Sequence, residues 1–273
     1  MKSSHSPTGP RPLEIFGLKC NLIHPGDNIV LKIQDALRNS GQKFCEKDVL
    51  VIAESALATA EERIVRLSDI TPGEQALEYE RLYGIDAREA EIVIEESDQI
   101  FGGVFGVLLT LKDGLLCPNA GIDNSNAPLG CVVLYPKNPS KSAREIADAV
   151  FEKDGVSIGV IIADSRTQPL RLGCTGVAIG AAGFSATVDL RGESDLFGRP
   201  LMVTQVAAAD NLASAAEIVM GESGESIPFA LIRNADVIFN RTAEGIRTIP
   251  PEECMYWGAL QNAARPKRES EET

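Results

Sequence analysis

Only two histidines, His5 and His24, and one tryptophan occur in the 273 residues, and aromatic side chains make up 5% of the chain. A catalytic triad or a histidine-ligated zinc therefore has almost nothing to be built from. The six cysteines are scattered, with no CxxC pair, so they read as small reduced thiols of a core rather than as a metal cluster or a disulfide frame. Long apolar runs are missing as well: the longest, around residues 104–111, is far too short to cross a bilayer. The polar lead-in "MKSSHSPTGPRP" has no secretory pattern, which predicts a cytoplasmic protein with no membrane partner. Basic charge is scarce, with 26 Lys and Arg against 39 Asp and Glu, a net charge of −13 and no basic run inside the globular part. That balance argues against nucleic acid as a main partner, because phosphate neutralisation needs a basic surface, and it favours a bound divalent cation. The common nucleotide cradles are absent too. There is no GxxxxGK[ST], and the glycines at 173, 176, 180 and 183 do not make GxGxxG.

What is present is a 44% apolar chain able to bury one large core or two modest ones. An apolar strand-like segment ends at "HPGD", and Val30, Ile33 and Leu37 follow at helical spacing behind Asp27, a capping candidate. "DVLVIAES" reads as a short buried strand ending in polar residues, and the acidic region from about residue 73 to 90 as a solvated helical face anchored by Leu77, Tyr79 and Leu82. Asp113-Gly114 between apolar runs predicts a hairpin whose second strand delivers the chain into "NAGIDNSN". "SAREIADAV" sets Ala143, Ile146, Ala147 and Val150 on one helical face with Gly155 as a stop, and "VSIGVIIADS" is a fully buried strand that stops at Asp164-Ser165. A glycine-rich β-like stretch follows. The last clear helix holds Ala208, Leu212, Ala215 and Val219, closes at Gly221 and presents Glu222 beyond its end. Alternating strands and helices, with glycine-rich β segments, predict a mixed α and β fold of the α+β kind, with no Rossmann motif. We divide the chain into a flexible lead-in (1–12), one domain (13–261) and a charged tail (262–273).

Three acids fall at the ends of elements: Asp123 after the hairpin, Asp164 at the end of a strand and Glu222 after a helix. Hard divalent cations take oxygen ligands, and carboxylates gathered without a cation must repel one another or take up protons. Ser165 offers a neutral hydroxyl beside Asp164, and Asn126 can donate to a phosphate or ribose without adding charge. The same residues are also favoured in turns and caps for backbone reasons, so the pattern alone leaves both readings open.

At these residues the sequence resembles the coenzyme F-420-0:L-glutamate ligase (γ-glutamyl ligase) family. The stretches that carry the resemblance include "NLIHPGD", "CPNAGIDNSNAPLGCVVLYPKNPSKSA", "GVIIADS", "TGVAIGAAGF", "DLRGESDLFGRPL" and "AADNLASAAEIVMGE", in the family's order and over roughly residues 13–233. The resemblance implies a two-lobed homodimer that joins the amine of L-glutamate to a carboxylate acceptor, the deazaflavin coenzyme precursor, with GTP as cosubstrate and an acyl phosphate as intermediate. It also implies two divalent ions, Mg²⁺ or Mn²⁺, and an assisting K⁺. Carried over by position, Asp123 and Asp164 are catalytic metal ligands, joined by Ser165 and Glu222. The nucleotide contacts are Cys20, Asn21, Leu22, Ile23, Glu54, Ser55, Thr59, Asn126 and Arg171.

Two departures stand out. The family reads "SKAEGR" after the second strand, whereas this chain has "ESALATAEERIV", with Thr59 in the place of a phosphate-reaching lysine. The family's "GRxxR" after the second metal aspartate is here "SRTQPLR", with only Arg171 kept and Arg166 as a possible substitute. Losing one charge-assisted phosphate contact removes roughly a few kcal/mol. Three functions therefore compete: the deazaflavin-precursor ligase, a divergent ligase with another acceptor or nucleotide, and a non-catalytic metal- or nucleotide-binding protein of the same fold. Asp195 and Arg199 also match the family and are read as a local ion pair.

Overall fold

Residues 49–52 and 229–232 are apolar at every position and buried at every position, the pattern of strands covered on both faces. The computed structural model describes residues 11–243 and 245–264; His5, most of the lead-in and the tail from 265 onward lie outside the described residues. Chain order runs β1 (Glu14–Leu18), α1 (Ile29–Asn39), β2 (Val49–Ala53), α2 (Glu54–Ala60) and β3 (Ile64–Arg66), then the helix pair α3 (Glu74–Tyr83) and α4 (Ala87–Glu96). A meander of β4 (Gln99–Val104), β5 (Val107–Lys112) and β6 (Leu115–Pro118) follows, and a 3-10 turn at Asn119–Gly121 leads to β7 (Cys131–Val133). The rest comprises α5 (Pro139–Asp154), β8 (Gly159–Thr167), β9 (Cys174–Ala182), β10 (Thr187–Asp189), β11 (Gln205–Ala207), α6 (Ala208–Met220), β12 (Phe229–Arg233) and α7 (Met255–Ala264).

The main sheet has the order β1-β12-β2-β8-β9, and only its central pair, β2 and β8, is parallel. Because side chains alternate along a strand, each central strand feeds two cores. Leu50, Ile52, Val160, Ile162, Phe229 and Leu231 face one cluster with α1 and α5, while Val49, Val51, Ile161, Ala230 and Ile232 face the other with α6. The glycines of β9 allow both helices to come close. A Cβ on Gly176 would lie 2.6 Å from the Ala213 carbonyl oxygen of α6, and one on Gly180 would lie 2.4 Å from the backbone of Pro139 in α5. They face opposite sides because the pairing of β8 with β9 skips Ile179, a bulge placed one residue before Asp164.

A third buried cluster stands apart from the sheet. It gathers Ala76, Ala90, Ile92, Val93, Leu108, Ile122 and Val132 from α3, α4, β5, the loop after the 3-10 turn and β7, and forms the second lobe. The two-residue turn Asp113-Gly114, with φ of 50° and 74°, joins β5 to β6 as the hairpin pattern predicts. The fold is mixed α and β, as read from the sequence.

Several local expectations are corrected. Asn28, not Asp27, caps α1, accepting from the Leu31 amide at 3.1 Å. Of the three expected anchors of α3 only Tyr79 packs on the second core; Leu77 and Leu82 are exposed, and Ala76 and the half-buried Tyr83 take their place. The buried face of α6 is Ala208, Ala209, Leu212, Ala213, Ala216 and Met220; it keeps the expected Ala208 and Leu212 but is rotated from the rest of the predicted face, so Ala215 and Val219 are only half-buried. The sequence reading missed α7, and this helix carries residues 262–264, assigned above to the tail. Its Trp257 packs on Phe101 with ring centroids 4.1 Å apart. Asp195 does not pair with the Arg199 guanidinium; its Oδ1 accepts the backbone amides of Phe197 and Arg199, each at 2.8 Å, and so holds the turn.

Candidate active site

Beyond Ala53↔Ala163 the parallel register of β2 and β8 ends, and the next residue in each segment is an acid, Glu54 as the first residue of α2 and Asp164 within β8. A crevice beyond the carboxyl ends of parallel strands is where open α/β sheets bind ligands. Here it opens as a cavity of about 570 Å³. Asp164 does not end its strand as predicted: β8 continues to Thr167, paired with β9, and the bulge rather than a chain end turns Asp164 toward the cavity.

The second wall is the loop "NAGIDNSN". Asn119, Ala120 and Gly121 carry φ of 47°, 55° and 74°, an unusual left-handed run that needs outside support. Asn119 Oδ1 accepts the Leu108 amide at 2.8 Å, and Thr110 Oγ1 accepts the Ala120 amide at 2.9 Å. Asn124 Nδ2 donates to Glu89 Oε2 at 3.0 Å. The backbone of Asp123 pairs both ways with Val133 at 2.9 Å, and its Oδ1 accepts the Ser125 amide at 2.7 Å. Two of the amides are thus structural, while Asp123, Ser125 and Asn126 line the cavity. Glu89 belongs to the acidic region to which the sequence reading gave no chemistry; it is buried and holds this loop.

The third wall is the C-terminal end of α6 and the loop after it. The last carbonyls of a helix favour positive charge. Glu217, Glu222 and Glu225 line the cavity at this end. Glu217 was not foreseen. Its carboxyl is pushed up to about 7 by burial and by the neighbouring Glu222, and its Oε1 is buried with no hydrogen-bond partner. Its only sequence signal is a lone acid beside the apolar stripe of α6.

Of the predicted residues, Asp123, Asp164, Ser165, Glu222, Cys20, Asn21, Leu22, Ile23, Glu54, Ser55, Thr59 and Asn126 all line this one cavity. Arg171 does not; it is exposed at the β8–β9 turn. Arg166 is no stand-in for the missing cations. It is buried, its Nε donates to Asp164 Oδ2 at 2.8 Å, and its terminal nitrogens donate to the Tyr135 hydroxyl and the Leu116 carbonyl. The cavity therefore has six lining carboxylates (Glu54, Asp123, Asp164, Glu217, Glu222, Glu225) and no Lys, Arg or His among its described lining residues.

Glu54 is 5% exposed, and its Oε1 has no partner. Burial first, then the charges of Asp164 and Asp123, raise its carboxyl well above the usual range. Burial also raises Asp164, against the pull of Arg166. Among the described residues no three His, Cys, Asp or Glu side chains are gathered closely enough to form a ready metal cage. The donor set nevertheless fits a hard cation, since it is all oxygen, mutually repelling and partly without hydrogen-bond partners.

The family model described as "F420-0:Gamma-glutamyl ligase" matches residues 17–234. The "Coenzyme F420:L-glutamate ligase" of Methanococcus maripaludis is 39% identical over 84% of this chain and 90% of its own length. The Methanopyrus kandleri protein of the same name is 39% identical over 77% of this chain and 82% of its own. For the one from Methanocaldococcus jannaschii the identity is 37%, over 89% of this chain and 96% of its own.

Proposed function

Because the chain belongs to the F420-0:gamma-glutamyl ligase family, we propose that it is a metal-dependent, GTP-driven ligase that joins L-glutamate to a carboxylate acceptor, the deazaflavin coenzyme precursor by kinship. A carboxylate does not acylate an amine unaided. Transfer of the GTP γ-phosphoryl group to an acceptor oxygen gives an acyl phosphate; the glutamate amine then attacks the carbonyl carbon, loses a proton, and phosphate leaves with the C–O bond electrons. The observation that carries the reading is the cavity itself, in which twelve of the thirteen residues singled out from the sequence meet around six carboxylates.

Asp123, Asp164, Ser165 and Glu222 are the residues that would hold Mg²⁺ or Mn²⁺, two ions by kinship with K⁺ beside them. Bound there, the ions would supply the positive charge that a transferring phosphoryl group requires. Asn126 and Ser125 donate to phosphate or ribose oxygens, and the segment from Cys20 to Ile23 forms the rim against which the nucleotide lies. Arg166 keeps the Asp164 carboxylate oriented. Six free cysteines and a GTP cosubstrate suit a cytoplasmic enzyme.

The test is to incubate the protein with GTP, Mn²⁺, glutamate and the precursor and look by mass for a glutamyl adduct, which Asp123→Asn abolishes. Absence of an adduct with either GTP or ATP, where a standard family member forms one, removes the assignment. The lack of basic side chains in the described lining favours a second reading, a ligase of the same chemistry with another acceptor or nucleotide. Preferential thermal stabilisation by some other carboxylate would select it.

A further inference from the structure

Glu54 has a place in the fold that a phosphate contact does not explain. Its backbone leaves the parallel pair β2 and β8 in step with Asp164, its side chain is 5% exposed, and it lines the cavity with an oxygen that no donor reaches. Arg166, the nearest guanidinium to these acids, has its donors committed to Asp164, Tyr135 and Leu116. A buried carboxylate without donors, facing further acids, is costly to keep ionised. The packing around it does not demand an acid, since a glutamine of the same shape would fill the same space without the charge. Nor can such an oxygen receive a nucleotide's phosphates, because phosphate and carboxylate oxygens both only accept.

We propose that Glu54 is a direct ligand of a divalent cation shared with Asp123 and Asp164, at the floor of the cavity. The chemistry selects Mg²⁺ or Mn²⁺, which take oxygen donors. The backbones of the three residues are already fixed, Glu54 and Asp164 by the strand register and Asp123 by its two bonds to Val133. The inference rests on the metal-dependent reading of the site and adds a consequence particular to this chain. With Thr59 where a phosphate-reaching lysine is expected, and no basic side chain in the described lining, an extra carboxylate compensates by holding the cation itself more firmly. The cation then binds before the nucleotide, and the nucleotide binds only to the metal-loaded protein.

The experiment titrates Mn²⁺ into the full, nucleotide-free chain, following loss of the free-ion electron-resonance signal, with thermal denaturation in parallel. Glu54→Gln is expected to weaken Mn²⁺ binding at least tenfold while raising the melting temperature of the metal-free protein, and Glu54→Asp to keep part of the affinity. GTP binding, read by calorimetry, is expected to vanish in EDTA. Glu54→Gln binding Mn²⁺ as tightly as the parent, with Asp123→Asn weakened, overturns the role of Glu54 and leaves the ligase site standing. Unchanged binding in both variants, or none in the parent, defeats the metal reading of the whole cavity. Tight GTP binding in EDTA overturns the proposed order.

Discussion

Gly121 is the residue on which the "NAGIDNSN" loop turns. Its φ is 74°, and a Cβ there would fall 2.2 Å from the Tyr135 ring, whose hydroxyl accepts from Arg166. Gly121→Ala adds a left-handed penalty to a steric clash and should cost about 2–4 kcal/mol, read as a lower urea midpoint with unchanged slope. The clash also transmits through Tyr135 and Arg166 to Asp164, so ligase activity should fall further than stability alone requires. Glu89 acts on the same loop from the other side. Removing its bond to Asn124 in Glu89→Ala should lower kcat/KM roughly tenfold, equivalent to about 1.4 kcal/mol, while the melting temperature moves by only a few degrees. A fall in melting temperature with kcat/KM unaltered would show Glu89 to be merely structural. At this scale the sequence was most informative where residue type and family pattern coincide, as at Asp123 and Asp164. It was silent on Glu54 as part of the acid cluster and on Glu217, because their meaning comes from the register of β2 with β8 and the rotation of α6, which no local pattern encodes.

Among the elements, the clearest electrostatic node is Glu96 at the end of α4. Lys112 of β5 donates to it at 2.8 Å, and Arg63, which precedes β3, donates at 2.9 Å while also reaching the Tyr135 carbonyl. Burial alone would raise this carboxyl, yet the two cations hold it below its ordinary value of 4.5. A depressed folded-state pKa means that the unfolded chain binds more protons in the interval below 4.5. The stabilisation is therefore complete above about pH 4.5 and is lost as the pH falls through the lower folded value. Glu96→Gln should flatten the fall in stability between about pH 5 and pH 3 and lower stability at neutral pH by about 1–3 kcal/mol. Denaturant midpoints across that range give the answer, and a parallel decline of both proteins with pH would discount the node. Elements with a strong local signal were legible: the Asp113-Gly114 turn, the α5 stripe closed by Gly155, and the buried strand at 49–53. Beside Tyr79, which was, the anchors of α3 were not, because Ala76 and the ring of Tyr83, rather than the larger aliphatics, complete the contact with the second core. Nor was α7, a short helix whose reason for forming is a distant ring, Phe101.

For the whole molecule, the feature left without a partner is the apolar decoration of two excursions. Leu170 and Leu172, on the β8–β9 turn, are each 105% exposed, and the β10–β11 connection presents Leu196, Phe197, Met202 and Val203. Contiguous apolar surface marks an interaction site, whereas single exposed leucines do not. If a second copy is the partner, Leu170, Leu172 and Phe197 become buried on association, and Arg171, which misses the cavity of its own chain, enters the assembly. Two copies that each carry a net charge of −13 repel. Association driven by apolar burial against that repulsion should strengthen as salt screens it, because at about 0.1 M the screening length is only about 10 Å. Light scattering coupled to size exclusion should therefore report a dimer whose dissociation constant tightens between about 20 and 300 mM NaCl. Leu170→Ser with Leu172→Ser should shift the chain toward monomer with its circular dichroism intact. A dimer weakened by salt would mean that ion pairs rather than these leucines hold it, and a monomer under every condition would leave the two excursions to some other partner.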